Sequence, residues 1–281
     1  MKIKQRLNNN VVLVTDENNE NVSMIVMGKG IGFKAYPGNK IDESLIESTF
    51  VLKKNDENNI SKVSSLINEL PMEYISVTDS ILKEAEIMLD KEYGLPMLIS
   101  LADHIYSAVS RQQEYVSALQ WNIKQLYPNE LKMGKRAILI VKEKLDITLN
   151  DSEATAIAMH FISQGYNYNS MQETMKFTKI ISDIISIIQY HFQIKIDQGS
   201  INFSRLVTHL QYFLIRQVDN VEPLTVNESI IQTIINQYPE SFQCAEKIVG
   251  YLNETQEIVP SLEEESYLTL HIERVRQVHL T

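Results

Sequence analysis

The sequence predicts an α+β multidomain protein, with a small all-β antiparallel domain at the N-terminus followed by two homologous all-α helical bundles. Three observations carry this. Short β-branched runs broken by turn residues precede Leu52, nearly every segment after it has helical periodicity, and the helical part contains an internal repeat marked by histidines.

The expected strands are Val11–Thr15, Val22–Met27, Ile31–Ala35 and Ile46–Leu52. Between them, Asp16-Glu17-Asn18-Asn19-Glu20-Asn21 reads as a hairpin loop and Tyr36-Pro37-Gly38-Asn39 as a second turn. The run from Lys53 to Asn59 has no apolar side chain. The β domain is therefore placed at residues 1–54 and a linker at 55–59.

The repeat sets the rest of the architecture. Leu101-Ala102-Asp103-His104-Ile105 is followed by Arg111 seven residues after its histidine, and Leu206-Val207-Thr208-His209-Leu210 by Arg216 at the same offset. Tyr127-Pro128 and Tyr238-Pro239 each begin 33 residues before a further histidine, His160 and His271. Each of those has a glutamate seven residues upstream, Glu153 and Glu264, three residues after the candidate N-caps Asn150 and Ser261. Two homologous helical domains follow, at 60–172 and 173–281.

Composition narrows the function. One cysteine, Cys244, leaves no disulfide framework and no cysteine-rich zinc pattern, and it reads as a small buried hydrophobe. No stretch supplies the roughly 20 apolar residues of a membrane span, so a cytoplasmic protein is expected. The net charge is −10, which argues against nucleic acid over the whole surface. Residues 1–54 nevertheless hold eight basic and six acidic side chains, a local +2, so any nucleic-acid site belongs there.

Four of the six histidines occupy matched repeat positions, whereas His191 and His279 have no counterpart. One reading of the four is a packing role shared by both copies. Metal binding lacks a His-Glu-x-x-His run or a Cys/His cluster, and neither a Gly-x-Ser-x-Gly motif nor a phosphate-cradling glycine loop suggests an enzyme. No cofactor is expected. A neutral imidazole can itself accept a phosphoryl group, which adds about two negative charges and three acceptor oxygens. Arg111 and Arg216 lie two helical turns from their histidines, either as phosphate partners or as ordinary solvated arginines.

Two features of the β domain suit RNA. Asn8-Asn9-Asn10 offers amides to base edges or 2′-hydroxyls. In Gly28-Lys29-Gly30-Ile31-Gly32-Phe33 the glycines admit close backbone approach, Lys29 offers a phosphate contact and Phe33 a stacking face. The same residues could equally form a plain turn and a tight β-bend with Phe33 in the core.

With these residues in view, a family resemblance is visible. Arg6-Leu7-Asn8-Asn9-Asn10-Val11-Val12-Leu13-Val14, Val26-Met27-Gly28-Lys29-Gly30-Ile31-Gly32-Phe33, Gly38-Asn39-Lys40-Ile41-Asp42 and Ile46-Glu47-Ser48-Thr49-Phe50 closely resemble the co-antiterminator domain of the BglG/SacY-type transcriptional antiterminators. The helical repeats resemble the PTS regulation domains that follow it in that family. The resemblance implies an RNA-binding homodimer that holds a leader mRNA hairpin of a sugar-utilisation operon and prevents terminator formation. It implies RNA contacts at Asn8, Asn10, Gly28, Lys29 and Phe33 and phosphorylation at His104, His160, His209 and His271. A sugar-specific PTS permease (enzyme II) would act on the first regulatory domain to inhibit, and the phosphocarrier HPr on the second to activate.

Three positions depart from the family pattern. Gln5 stands where relatives commonly carry a basic residue, Lys29 replaces the more usual arginine and loses bidentate geometry, and the loop around Asn18–Asn21 is longer. Two other classes would need features of their own. A PTS-regulated DNA-binding activator needs an N-terminal helix-turn-helix, and a histidine phosphotransferase relay needs a substrate or nucleotide site; the sequence shows neither.

Overall fold

The structure is a computed structural model that describes residues 1–16, 22–52, 67, 69–111, 120–165, 170–218 and 227–277. The expected linker at 55–59 and most of the hairpin loop lie outside these residues. The chain divides into two compact units, residues 1–117 with 129–164, and residues 118–128 with 165–281.

The first unit opens with an antiparallel meander of β1 (Lys2–Arg6), β2 (Val11–Thr15), β3 (Ser23–Met27) and β4 (Ser48–Val51), in that spatial order. Val12 faces Val26 across β2 and β3, and Ile25 faces Phe50 across β3 and β4. Alternation puts Val12, Val14 and Val26 on one face, where they pack with Ile3, Ile31, Ala35 and Ile41. Each such side chain contributes about 1.5–3 kcal/mol of burial.

The structure departs from the expected strands at three places. Ile31–Ala35 is not a strand but a chain of tight turns, with Ile31 N–H donating to Gly28 O, Phe33 N–H to Gly30 O and Ala35 N–H to Gly32 O. The cause is backbone geometry: Gly30 (φ 74°) and Lys34 (φ 63°) are left-handed, which no strand tolerates. Ile31 and Ala35 stay buried at a spacing of four, so the apolar pattern imitated a strand. The strand β1 was missed, because among its residues only Ile3 is buried and its register slips at a bulge between Ile3 and Gln5. The fourth strand begins only at Ser48, since Glu43–Leu45 forms a short 3-10 turn capped by Asp42.

Also in this unit are α1 (Met72–Leu89), α2 (Leu95–Ser110), α4 (Pro128–Leu145) and α5 (Glu153–Gly165). The helices α1 and α2 pack together, with Tyr74 and Tyr106 edge to face at 5.0 Å. At the contact of α4 with α5, a Cβ on Gly134 would lie 2.1 Å from Ala154 O. Only glycine permits that approach, and it seats the N-terminal turn of α5, where Glu153 lies.

The second unit contains α3 (Gln120–Leu126), α6 (Met171–Phe192), α7 (Ile201–Val218), α8 (Glu228–Gln237), α9 (Pro239–Gln256) and α10 (Leu262–Gln277). The pairs α6/α7, α9/α10 and α7/α10 pack against one another, and α3 lies on α6. Ser170 caps α6 by accepting Glu173 N–H, and Asn227 caps α8 by accepting Ser229 N–H. Among the described residues no helix is long and apolar enough to cross a membrane.

Candidate phosphate-acceptor pairs and RNA-binding face

In the first unit, α2 presents His104 and α5 presents His160, and their rings meet at 5.0 Å. Ser100 lies one turn before His104 on the same face and its hydroxyl sits 3.3 Å from His160 Nδ1. His104 Nε2 is 2.8 Å from Glu153 Oε2, and Arg111 reaches both oxygens of that carboxylate at 3.4 Å. The hydrogen bond from His104 holds the Glu153 carboxyl below the usual carboxylate range, although burial opposes it. Burial, with the charge of His104 second, pushes His160 down to about 3.

The second unit repeats the arrangement with one exchange. His209 on α7 and His271 on α10 stack at 4.4 Å with their planes 11° apart, and Tyr267 lies 4.7 Å from His209. Here the carboxylate serves the arginine: Arg216 Nη2 donates to both Glu264 oxygens at 2.8 and 2.9 Å, and Nε donates at 3.0 Å. Both ring nitrogens of His209 are buried without a partner. Burial first, then nearby positive charge, pushes His209 to about 3 and His271 to about 4. An open cavity of about 420 Å³ lies over the stack, lined by Arg205, Arg216, Thr208, Ser204 and Tyr212. Its two guanidiniums and the hydroxyls of Ser204, Thr208 and Tyr212 suit an anion.

All four repeat histidines are thus paired, with His104 on Glu153 and the His209–His271 stack beside the cavity that Arg216 also lines. Neither Arg111 nor Arg216 is simply solvated. Sequence reasoning missed Ser100, Arg205 and Tyr267; the spacing of four between Ser100 and His104 was the available signal for the first. His191 stands apart, its Nδ1 accepting from Lys247 Nζ at 3.0 Å, and His279 lies outside the described residues. Cys244 is fully buried, its thiol pushed up to about 12 by burial. Among the described residues no group of three His, Cys, Asp or Glu side chains could hold a metal ion.

In the β domain the asparagine run and the glycine loop are zipped together. Gly28 N–H donates to Asn10 O at 3.0 Å, Gly32 N–H to Asn9 O at 2.9 Å and Gly30 N–H to Asn10 Oδ1 at 2.8 Å, while Asn8 Oδ1 accepts Asn10 N–H at 2.8 Å. The asparagines therefore shape the loop as well as offering their remaining amide groups. Lys29 and Phe33 project outward, Phe33 being 70% exposed, which removes the reading of Phe33 as core. Behind the loop, Lys29 N–H donates to Glu47 Oε1 at 3.3 Å. Helix α1 grips the same segment: Ser48 Oγ donates to Asp79 at 2.7 Å, and Lys83 Nζ reaches Ser48 Oγ at 3.0 Å. Among the described residues up to Leu52 there are four strands and a 3-10 turn and no helix-turn-helix of the kind the DNA-binding alternative needs.

A small β module with an outward cationic glycine loop, joined to two copies of a helical domain built around a histidine pair, is the build of a regulatory protein. The CAT RNA binding domain matches residues 1–59, and the PRD domain matches twice, at 79–164 and 182–275. The chain belongs to the family of transcription antiterminators that carry a CAT RNA-binding domain followed by PRD domains. The transcription antiterminator LicT of Bacillus subtilis is 34% identical over 98% of this chain and 99% of its own length. The beta-glucoside operon antiterminator of Dickeya chrysanthemi is 32% identical, over 98% of this chain and 97% of its own. The GlcA/glcB genes antiterminator of Staphylococcus carnosus is 28% identical, over 98% and 96%. The crystal structure of GlcT CAT-PRDI is similar over 58% of this chain and 96% of that one, with 25% identity and a TM-score of 0.49.

Proposed function

We propose that this chain is a cytoplasmic transcriptional antiterminator, not an enzyme, that binds a leader mRNA hairpin of a sugar-utilisation operon as a homodimer and is switched by histidine phosphorylation. Residues 1–54 bind RNA, 55–59 link, and 60–172 and 173–281 are the two regulatory domains. Asn8, Asn10, Gly28, Lys29 and Phe33 form the RNA face. His104, His160, His209 and His271 accept phosphate, the first pair from the sugar permease to inhibit and the second from the phosphocarrier HPr to activate. Arg111 and Arg216 answer the added charge.

The observation that supports this reading best is the pairing itself. In each helical domain two imidazoles far apart in sequence lie at 5.0 and 4.4 Å, each pair beside an arginine that a phosphate can recruit. A phosphoryl group brings about two charges into that space, enough to repel a symmetry mate or to capture guanidiniums and so shift a dimer between arrangements.

The test is phosphorylation of the purified full chain by phosphoenolpyruvate with enzyme I and HPr, with and without permease, followed by site mapping at neutral or alkaline pH. Phosphate confined to the four paired histidines is expected. Stable phosphate on His191 or His279, with those four unmodified, would overturn the assignment.

A further inference from the structure

We propose that Glu153 is the positioning residue of the first-domain acceptor: it holds the His104 proton on Nε2, so that phosphate enters at Nδ1. This rests on the reading of His104 as a phosphate acceptor.

An ionised glutamate accepts hydrogen bonds and donates none, so the 2.8 Å contact from His104 Nε2 to Glu153 Oε2 requires the proton on Nε2. A neutral imidazole carries one proton, which leaves the lone pair on Nδ1. Glu153 is itself fixed, only 4% exposed and anchored in the first turn of α5, with Arg111 on its other side at 3.4 Å. The ring therefore meets an incoming donor with one nitrogen already committed.

The transfer step balances without moving a proton at His104. The Nδ1 lone pair attacks the phosphorus of a phosphohistidine donor, a new P–N bond forms, and the donor's P–N bond breaks with its electron pair returning to the donor imidazole. The product ring is substituted at both nitrogens and carries positive charge, which the Glu153 carboxylate offsets where it forms. A buried aspartate does the same for the histidine of a serine-protease triad, orienting the ring and stabilising the imidazolium.

The second domain lacks this device. Its matching carboxylate, Glu264, is taken by three contacts from Arg216, and neither nitrogen of His209 has a partner. Among the described residues no group there selects a nitrogen on His209. The repeat that makes the two domains alike in sequence thus leaves them different as acceptors.

The test uses the full chain labelled with 15N-histidine, whose long-range proton–nitrogen spectrum reads each ring's tautomer at pH 7.5, with His104 assigned by its loss in His104→Gln. The wild-type spectrum is expected to show His104 with its proton on Nε2, by roughly tenfold or more over the other tautomer, as a charge-assisted hydrogen bond requires. Glu153→Gln, which keeps the side chain's shape, should erase that preference. In the wild-type chain phosphoramidate, a small phosphoryl donor, should give Nδ1-phosphohistidine at His104 by phosphorus–nitrogen coupling, and in Glu153→Gln that selectivity should be lost. A proton on Nδ1, or phosphate on Nε2 of His104, would overturn the proposal. The expected tautomer with no phosphate on His104 would overturn the acceptor reading and the phosphate half of the proposal, while leaving Glu153's hold on the ring established.

Discussion

Arg216 closes both oxygens of the buried Glu264 with its guanidinium at 2.8 and 2.9 Å, the place that His104 takes on the matching Glu153. The exchange has an energetic consequence. Glu264 is 7% exposed, so removing its partner leaves a charge in a poor solvent. Arg216→Met should cost about 3 kcal/mol or more, and Arg216→Met with Glu264→Gln should recover most of that loss. Urea unfolding of the full chain, read as a midpoint shift at constant slope, checks this; simple addition of the two single losses would contradict it.

The histidine pairs make the fold acid-sensitive. His160 and His209 are held at about 3 and His271 at about 4, below the ordinary 6.5, because burial disfavours the charged ring. A folded-state pKa below the unfolded one means that the folded form refuses the proton. Their stabilisation is complete above about pH 6.5 and drains away as pH falls toward 4 and 3. At pH 5 each ring costs about 2 kcal/mol. Glu153 acts in the same direction at lower pH: its carboxyl is depressed by the His104 hydrogen bond, so its contribution is present above 4.5 and is lost as pH falls through its folded value. The thermal midpoint should drop steeply between pH 7 and 5, and His209→Leu should flatten that drop. A midpoint constant across this range would contradict the account.

The glycine loop separates two kinds of glycine. A Cβ at Gly28 would lie 1.7 Å from Leu45 O and one at Gly32 2.0 Å from Asn8 O, both rigid backbone, whereas Gly30 has open space and only a left-handed φ of 74°. Gly28→Ala and Gly32→Ala should destabilise the β domain by about 3 kcal/mol and abolish hairpin binding, and Gly30→Ala should cost only about 1 kcal/mol. Titration of a fluorescent leader hairpin beside urea unfolding checks this. Equal losses at all three positions would show that the loop does not rest on those close approaches.

How far the sequence carried is clearest at particular residues. The repeat was legible because histidine, arginine and glutamate recur at fixed offsets, and helices turn those offsets into shared faces. The strands β2 and β3 were legible because they are buried runs of branched side chains. By contrast, β1 alternates lysine, isoleucine, lysine, glutamine and arginine, and its single buried residue gives no period to read. The loop from Ile31 to Ala35 misled in the opposite sense, since burial every fourth residue in a turn imitates alternation. The exchange of partners between Glu153 and Glu264 could not be read at all. Arg111 stands 3.4 Å from its glutamate and Arg216 2.8 to 3.0 Å from its own, yet both domains spell the same spacing.

Opposed control by the two regulatory domains is read out by terminator read-through in single-round transcription on a leader template. Aspartate stands in crudely for phosphate. His209→Asp with His271→Asp should raise read-through about tenfold over the unphosphorylated wild type, and His104→Asp should lower it by a similar factor, as a coupling of 1–3 kcal/mol between domain and RNA allows. A change in the same direction from both domains would contradict the account.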